Sequence, residues 1–250
     1  MPLSRHGAIN LGWQTSGEQR MQSAYGDFTF IVPTFNDATF AAPLLDLLTS
    51  SFAGAAILVV DDGSNDGTQD LIKKFSKKNA GHVNLLERPS LDRGLTASIM
   101  DAIDRCGTKH FIVLDPKARQ PYEALHKLVE ALKSGSDLAL IDYNTNSSKE
   151  PWSERAARAV AHNLLKRRGV CVRDPMSNAY GANLEKIKPI IGASLGRFEL
   201  AGSQFLFDLL KLVDSNTTIC ELELLVPNMP QRRMTSTRLG ELAFIKSILK

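Results

Sequence analysis

Cysteine is scarce in this 250-residue chain, and none of its three cysteines shares a CxxC spacing. Cys106, Cys171 and Cys220 are odd in number and far apart, which reads as reduced thiols in a cytosolic setting and excludes a disulfide frame. The five histidines form no HxxxH or HExxH pair, so nothing points to a histidine-based zinc site. Long apolar runs are missing as well. Stretches such as Ala55–Val60 stop far short of the roughly 20 residues a membrane-spanning helix needs. No signal-peptide h-region precedes the asparagine triplets at Asn146 and Asn216, so these carry no weight as glycosylation sites. Glycine and proline are scattered, which excludes collagen-like and low-complexity structure.

What is present suits a packed domain. Hydrophobic residues make up 43% of the chain, enough to offset chain entropy and exclude disorder of the whole. The net charge of +3 is unevenly spread. Residues 1–148 carry 14 Lys/Arg against 17 Asp/Glu, whereas residues 149–250 carry 16 against 10. A basic second half suggests an anionic partner there.

Residues 1–26 are polar and lack periodicity, and read as a flexible lead-in to a single domain over 27–250. From Phe28 onward, β-rich runs alternate with segments of helical period. The runs are Phe28–Val32, Ala56–Val60, Val83–Leu86, Phe111–Leu114 and Leu138–Ile141. The helical segments are roughly Ala41–Ser50, Thr68–Lys78, Leu95–Cys106 and Tyr122–Lys133. Continuous apolar strands separated by helices predict an α/β fold with a doubly wound, mostly parallel sheet. Later come a helix over Trp152–Lys166 with Trp152, Ala156, Val160 and Leu164 as its apolar face, and a helix near Gln204–Val213. A strand near Ile219–Val226 and a final helix from about Arg238 complete the reading.

In open α/β sheets, ligands bind at the carboxyl ends of the strands. Four segments fall there: Val32-Pro-Thr-Phe-Asn-Asp, Val60-Asp-Asp-Gly-Ser-Asn-Asp-Gly-Thr, Arg93-Gly-Leu and Asp115-Pro-Lys-Ala-Arg-Gln-Pro. In the second, Asp66 or Thr68 can cap the following helix and the glycines can turn. Two adjacent carboxylates, Asp61 and Asp62, repel each other unless something donates to them. A nucleobase N–H, a ribose hydroxyl or a cation is the donor expected.

In this order, and followed by Val-Arg-Asp-Pro-Met-Ser, these segments resemble the GT-A glycosyltransferases of family 2. They are most similar to the polyprenyl-phosphate sugar transferases typified by dolichol-phosphate mannose synthase. The resemblance runs from about Phe28 to the C-terminus and implies the GT-A (nucleotide-diphospho-sugar transferase) fold. It also implies transfer of a hexose, with mannose favoured, from a nucleotide-sugar to a polyprenyl (dolichyl) phosphate. GDP-mannose is the favoured donor, with a UDP-sugar as the alternative. By the same resemblance Pro33, Thr34, Asp37, Asp61, Asp62 and Gly94, with Arg93 beside it, bind the nucleotide. Arg158 (or Arg155), Arg173 and Ser177 hold the acceptor phosphate, and Arg233 (or Arg232) lies on a late loop over the donor phosphates.

One departure stands out. The family's fourth loop reads Asp-Ala-Asp-Leu-Gln and holds a divalent metal, but the matching positions here are Asp115, Lys117 and Arg119. Two ligands have become cations, which repel a hard divalent ion, so Mg or Mn binding is weakened and no cofactor is expected. Three explanations stay open. Lys117 and Arg119 replace the metal, with Asp115 orienting them; or the site has decayed into a pseudoenzyme that binds a nucleotide or a partner transferase; or they form a surface salt bridge with Asp115. Asn178-Ala-Tyr180 also stands where the family has Gly-Phe-Arg.

Residues 149–173 carry seven Lys/Arg against two Glu, consistent with an acceptor phosphate. The C-terminal end of a helix accounts for Lys166–Arg168, and no aromatic-rich strand accompanies the patch, so nucleic acid is not the expected partner. In the last helix Leu239, Leu242, Ile245 and Leu249 form a stripe, read as packing or as contact with a membrane surface. The expected location is cytoplasmic, peripheral to the cytosolic membrane face.

Overall fold

The computed structural model describes residues 23–88, 94–118, 120–143, 152–224 and 248. Seven strands form one sheet: β1 (Phe28–Thr34), β2 (Ala56–Asp61), β3 (Val83–Glu87), β4 (His110–Leu114), β5 (Leu138–Tyr143), β6 (Ala179–Asn183) and β7 (Ile219–Leu224). Their order is β3-β2-β1-β4-β6-β5-β7, and β6 alone runs against its neighbours. The helices are α1 (Ala38–Ser51), α2 (Thr68–Lys78), α3 (Leu95–Arg105), α4 (Tyr122–Lys133), α5 (Trp152–Lys166), α6 (Leu184–Ala193) and α7 (Phe205–Leu210).

Side chains alternate across the sheet and build two cores. Phe28, Phe30, Val32, Ile57, Val59, Ile112 and Leu114 face one side, where α1, α2 and α4 supply Leu45, Ile72 and Leu128. Ile31, Leu58, Val60, Phe111 and Val113 face the other, covered by Ile99 of α3, Leu165 of α5, Ile187 of α6 and Phe207 of α7. Because both faces are buried, β1, β2 and β4 read as continuous apolar runs. The doubly wound, mostly parallel sheet expected from the sequence is the one observed.

Three features depart from the sequence reading. Strand β6 was not anticipated: Ala-Tyr-Gly-Ala-Asn has poor strand propensity, yet it lies between β4 and β5 as an interior strand. A side chain on Gly181 would come within 2.8 Å of Ile112, Leu132 and the Phe111 carbonyl, so close packing dictates this residue rather than propensity. Helix α6 was also missed, although the Asn183 side chain accepts from the Glu185 and Lys186 amides as an N-cap. The buried face of α5 is rotated by one residue from the expected stripe. Ala161 and Leu165 are fully buried and Ala157 packs beside them, whereas Val160 is 44% exposed. Leu164 does reach the core. The rotation carries Arg158 toward the interior.

Ile248 packs on the α3 side of the sheet; the rest of the C-terminal stripe lies outside the described residues. No described helix is long and apolar enough to cross a membrane.

Candidate active site

Strand order reverses between β1 and β4, because β1 connects outward to β2 and the chain later crosses back to β4. Such a switch point leaves a crevice between the two following loops. The loop after β1 carries Asp37, which is 5% exposed, and the turn at Pro116–Ala118 after β4 carries Lys117. Lys117 Nζ lies 2.6 Å from Asp37 Oδ1, an ion pair across the crevice. Asp37 Oδ2 accepts from the Phe35 amide at 3.0 Å. Asp115 accepts from the Lys117 amide at 3.0 Å, which folds the turn that presents the lysine.

The loops after β1 and β2 are laced together by side-chain–backbone hydrogen bonds. Asn36 sits at φ 54°, a left-handed conformation that asparagine tolerates. Its amide donates to Ser64 Oγ at 2.8 Å, and its side-chain oxygen accepts from the Asn65 amide at 2.9 Å. The Asp37 amide donates to Thr68 Oγ1, and Asp66 accepts from the Ala38 and Thr68 amides. The Thr68 hydroxyl bond holds the Asp66 carboxyl below its ordinary pKa, and the two amides act in the same direction. Asp66 thus braces the first residue of both α1 and α2; the sequence reading places Asp66 or Thr68 as a cap of α2 alone, whereas the N-cap position there is Gly67 and makes no side-chain cap bond.

The adjacent carboxylates Asp61 and Asp62 do not wait for a ligand to supply donors, which corrects the sequence argument. Asp61 is fully buried and accepts from the amides of Gly63 and Ser64, the hydroxyls of Thr34 and Ser64, and the Gln69 amide group. Asp62 accepts from Arg88 Nη1 and, at 2.7 Å, from the Gly94 amide. Arg88, which sequence reasoning missed, is 8% exposed; it also donates to Asp101 at 2.7 Å and to Ser98 at 3.0 Å. Its signal was a basic residue one position past β3, beside the acidic end of β2. Asp61 is therefore satisfied within the protein, and Asp62 is held by the Arg88 guanidinium and the Gly94 amide.

Gly94 is dictated by close approach. A Cβ there would lie 2.1 Å from the Leu200 carbonyl oxygen. The same turn caps α3: the Thr96 amide donates to the Gly202 carbonyl at 3.0 Å and the Ala97 amide to Leu200 at 3.2 Å. Thr34 and Pro33 end β1 in register with Asp61 and Val60.

The three expected acceptor residues cluster near the ends of β5 and β7. The Arg173 guanidinium meets Asp142 at 3.1 Å, Glu223 at 3.1 Å and Glu221 at 3.5 Å. The Glu223 bond, followed by the Asp142 charge, raises its pKa further. Arg158 Nε lies 3.7 Å from Asp174. Burial pushes the Asp174 carboxyl up to about 6 despite Arg158, and burial likewise raises Asp142. The Ser177 hydroxyl, 5% exposed, lies 2.6 Å from the Ile141 carbonyl and 3.0 Å from that of Ala179, its proton shared between them. None of the carboxylates around Arg173 was singled out from the sequence. Elsewhere in the basic stretch, Arg168 Nη1 donates to the Lys211 carbonyl just past α7. Arg93, Arg119, Arg232 and Arg233 lie outside the described residues.

The side chains at the switch point offer a divalent metal few oxygens of their own, so an ion there would depend on those of a bound diphosphate. Among the described residues no group of three or more His, Cys, Asp or Glu side chains could hold an ion. At the switch point the ammonium of Lys117 already faces Asp37, and a hard cation would compete with it for the same oxygen.

The sequence profile of glycosyl transferase family 2 matches residues 29–183. The dolichol-phosphate mannosyltransferase of Mycosarcoma maydis is 26% identical over 182 residues, covering 68% of this chain and 58% of that protein. Its Pyrococcus furiosus counterpart is 30% identical over 112 residues, 44% of this chain and 31% of that one. The polyprenol monophosphomannose synthase of Mycolicibacterium smegmatis is 30% identical over 113 residues, 44% and 42% of the two chains. This chain thus spans less than two thirds of these relatives. Among solved structures, glucosyl-3-phosphoglycerate synthase from Mycobacterium tuberculosis, in complex with Mg2+ and uridine diphosphate, superposes with a TM-score of 0.65 at 18% identity. It covers 89% of this chain and 78% of that one. With its sheet order, its crevice between β1 and β4 and a family profile matching more than half its length, this chain belongs to glycosyl transferase family 2.

Proposed function

We propose that the protein transfers a hexose from a nucleotide-sugar to a polyprenyl phosphate with inversion, mannose from GDP-mannose being the favoured pairing and a UDP-sugar the alternative. The names of its family relatives support the acceptor class. The observation that carries the reading is the Lys117–Asp37 ion pair at the switch point. A polyprenyl monophosphate is already an anion, so its oxygen attacks the anomeric carbon without a strong base. The bond from that carbon to the diphosphate breaks, and the departing nucleotide diphosphate takes the electron pair. The site has to align two anions and neutralise the leaving charge. Lys117 does the latter by swinging from Asp37 to the diphosphate, with Arg119 and Arg233 assigned beside it from the sequence. Asp62, held by Arg88 and the Gly94 amide, faces the base. Pro33, Thr34 and Asp61 shape the floor.

Arg158, Arg173 and Ser177 are assigned to the acceptor end. There the phosphate has to draw Arg173 away from Asp142, Glu221 and Glu223. That cage favours a second reading, a non-catalytic GT-A-fold protein that binds a nucleotide or a partner transferase. Incubation with labelled nucleotide-sugars and polyprenyl phosphate separates the two. Lipid-linked sugar supports the transferase; nucleotide binding by calorimetry without product supports the second reading. The proposed place of action is the cytosolic membrane surface.

A further inference from the structure

Helix α7 and the residue that ends it carry an acidic and a basic side chain one turn apart, both shut away from water: Asp208 is fully buried and Lys211, just past the helix, is 9% exposed. Lys211 Nζ lies 2.9 Å from Asp208 Oδ1 and 5.0 Å from the centre of the Phe207 ring. A buried ion pair of this kind contributes little net stability, because desolvation offsets the attraction, so its presence calls for another use. The second oxygen shows one. Asp208 Oδ2 accepts from the Glu199 amide at 3.0 Å, anchoring the start of the turn that closes by the Gly202 amide donating to the Glu199 carbonyl at 2.9 Å. This turn presents the Leu200 and Gly202 carbonyls that cap α3, and its Leu200 oxygen occupies the space a Cβ on Gly94 would need. Gly94 in turn aims its amide at Asp62.

We infer that Asp208 is a positioning residue for nucleotide binding: through the 199–202 turn and the start of α3 it sets where the Gly94 amide holds Asp62. The relay rests on the proposed nucleotide role of Asp62. Asp208 acts through this turn, from a fully buried position. What it supplies is an acceptor for one backbone amide, and Lys211 supplies the charge that makes a buried carboxylate tolerable in that place.

The test compares two double variants in calorimetry with UDP and GDP. Asp208→Asn with Lys211→Met keeps an acceptor for the Glu199 amide and removes both charges. Asp208→Leu with Lys211→Met removes the acceptor as well. The Leu variant is expected to weaken nucleotide binding about tenfold, and the Asn variant to restore it to within about twofold of the parent. Equal affinity for the two variants overturns the inference. Should either fail to fold, amide hydrogen exchange on the unaltered protein decides. Saturating nucleotide is expected to slow exchange at Gly94 and also at Thr96, Ala97, Glu199 and Gly202; slowing confined to Gly94 overturns it. A parent protein that binds neither UDP nor GDP contradicts the nucleotide role itself, an outcome distinct from equal binding by the variants.

Discussion

Lys117 Nζ stands 2.6 Å from Asp37 Oδ1, so the turn after β4 and the loop after β1 are joined by an ion pair across the crevice of the sheet. The lysine side chain is 46% exposed and the carboxylate 6% exposed. Because that carboxylate is buried, losing the lysine leaves its charge uncompensated and costs on the order of 1–3 kcal/mol. If the ammonium also neutralises a departing diphosphate, its removal strikes the transition state. Lys117→Met is therefore expected to lower the melting temperature by several degrees and to lower kcat about 10²–10³-fold, a loss far beyond what the destabilisation explains well below the melting temperature. Thermal unfolding and steady-state kinetics check the two halves.

Arg88 behaves differently, because its guanidinium is buried against Asp62. Removing one partner leaves an uncompensated buried charge, which costs about 3–5 kcal/mol. Arg88→Met is expected to lose that stability in urea unfolding, and Arg88→Met with Asp62→Asn to recover much of it. Nucleotide affinity falls in both, since Asp62 is then misplaced or neutral.

Asp174 gives the protein a pH dependence of definite sign. Its pKa is about 6 in the fold against an ordinary 3.8, because burial disfavours the charged form. Between these values the folded state binds more protons than the unfolded one, so stability falls as pH rises from about 4 to 6. The penalty is fully present above about 6 and amounts to about 3 kcal/mol. Asp142, raised by the same cause, adds in the same direction. Asp174→Asn is expected to flatten this slope in urea unfolding followed from pH 4 to 7; an unchanged slope assigns it to other groups.

At the acceptor end, Glu223 is a rim partner of Arg173, both being about half exposed. Glu223→Gln is expected to alter stability by under about 1 kcal/mol and to lower the KM for polyprenyl phosphate several-fold, since one competitor for Arg173 loses its charge. An unchanged KM places the acceptor phosphate elsewhere.

Strands β1, β2 and β4 were legible in the sequence because burial on both faces writes itself as an unbroken apolar run. Strand β6 was not, because Ala-Tyr-Gly-Ala-Asn holds no β-branched residue, and at Gly181 a Cβ would come within 2.8 Å of Ile112 and Leu132. The α5 face was misjudged by one residue, since Val160 is apolar yet exposed while small Ala157 and Ala161 face the core. The loops bearing Asp37, Asp61, Asp62 and Lys117 were identifiable from their places at strand ends. Their partners were not. Arg88 is 26 residues from Asp62, and Glu221 and Glu223 are 48 and 50 residues from Arg173. Contacts at that separation are set by strand order, which no local pattern encodes.

In the proposed mechanism Lys117 takes the place of the divalent ion that the family resemblance implies for an Asp-Ala-Asp loop. Transfer of labelled sugar to polyprenyl phosphate, measured with and without excess EDTA after removal of bound metals, separates the two. Equal rates in the two conditions are predicted, together with their collapse in Lys117→Met. Product formation that EDTA abolishes and added Mg2+ or Mn2+ restores would contradict the account.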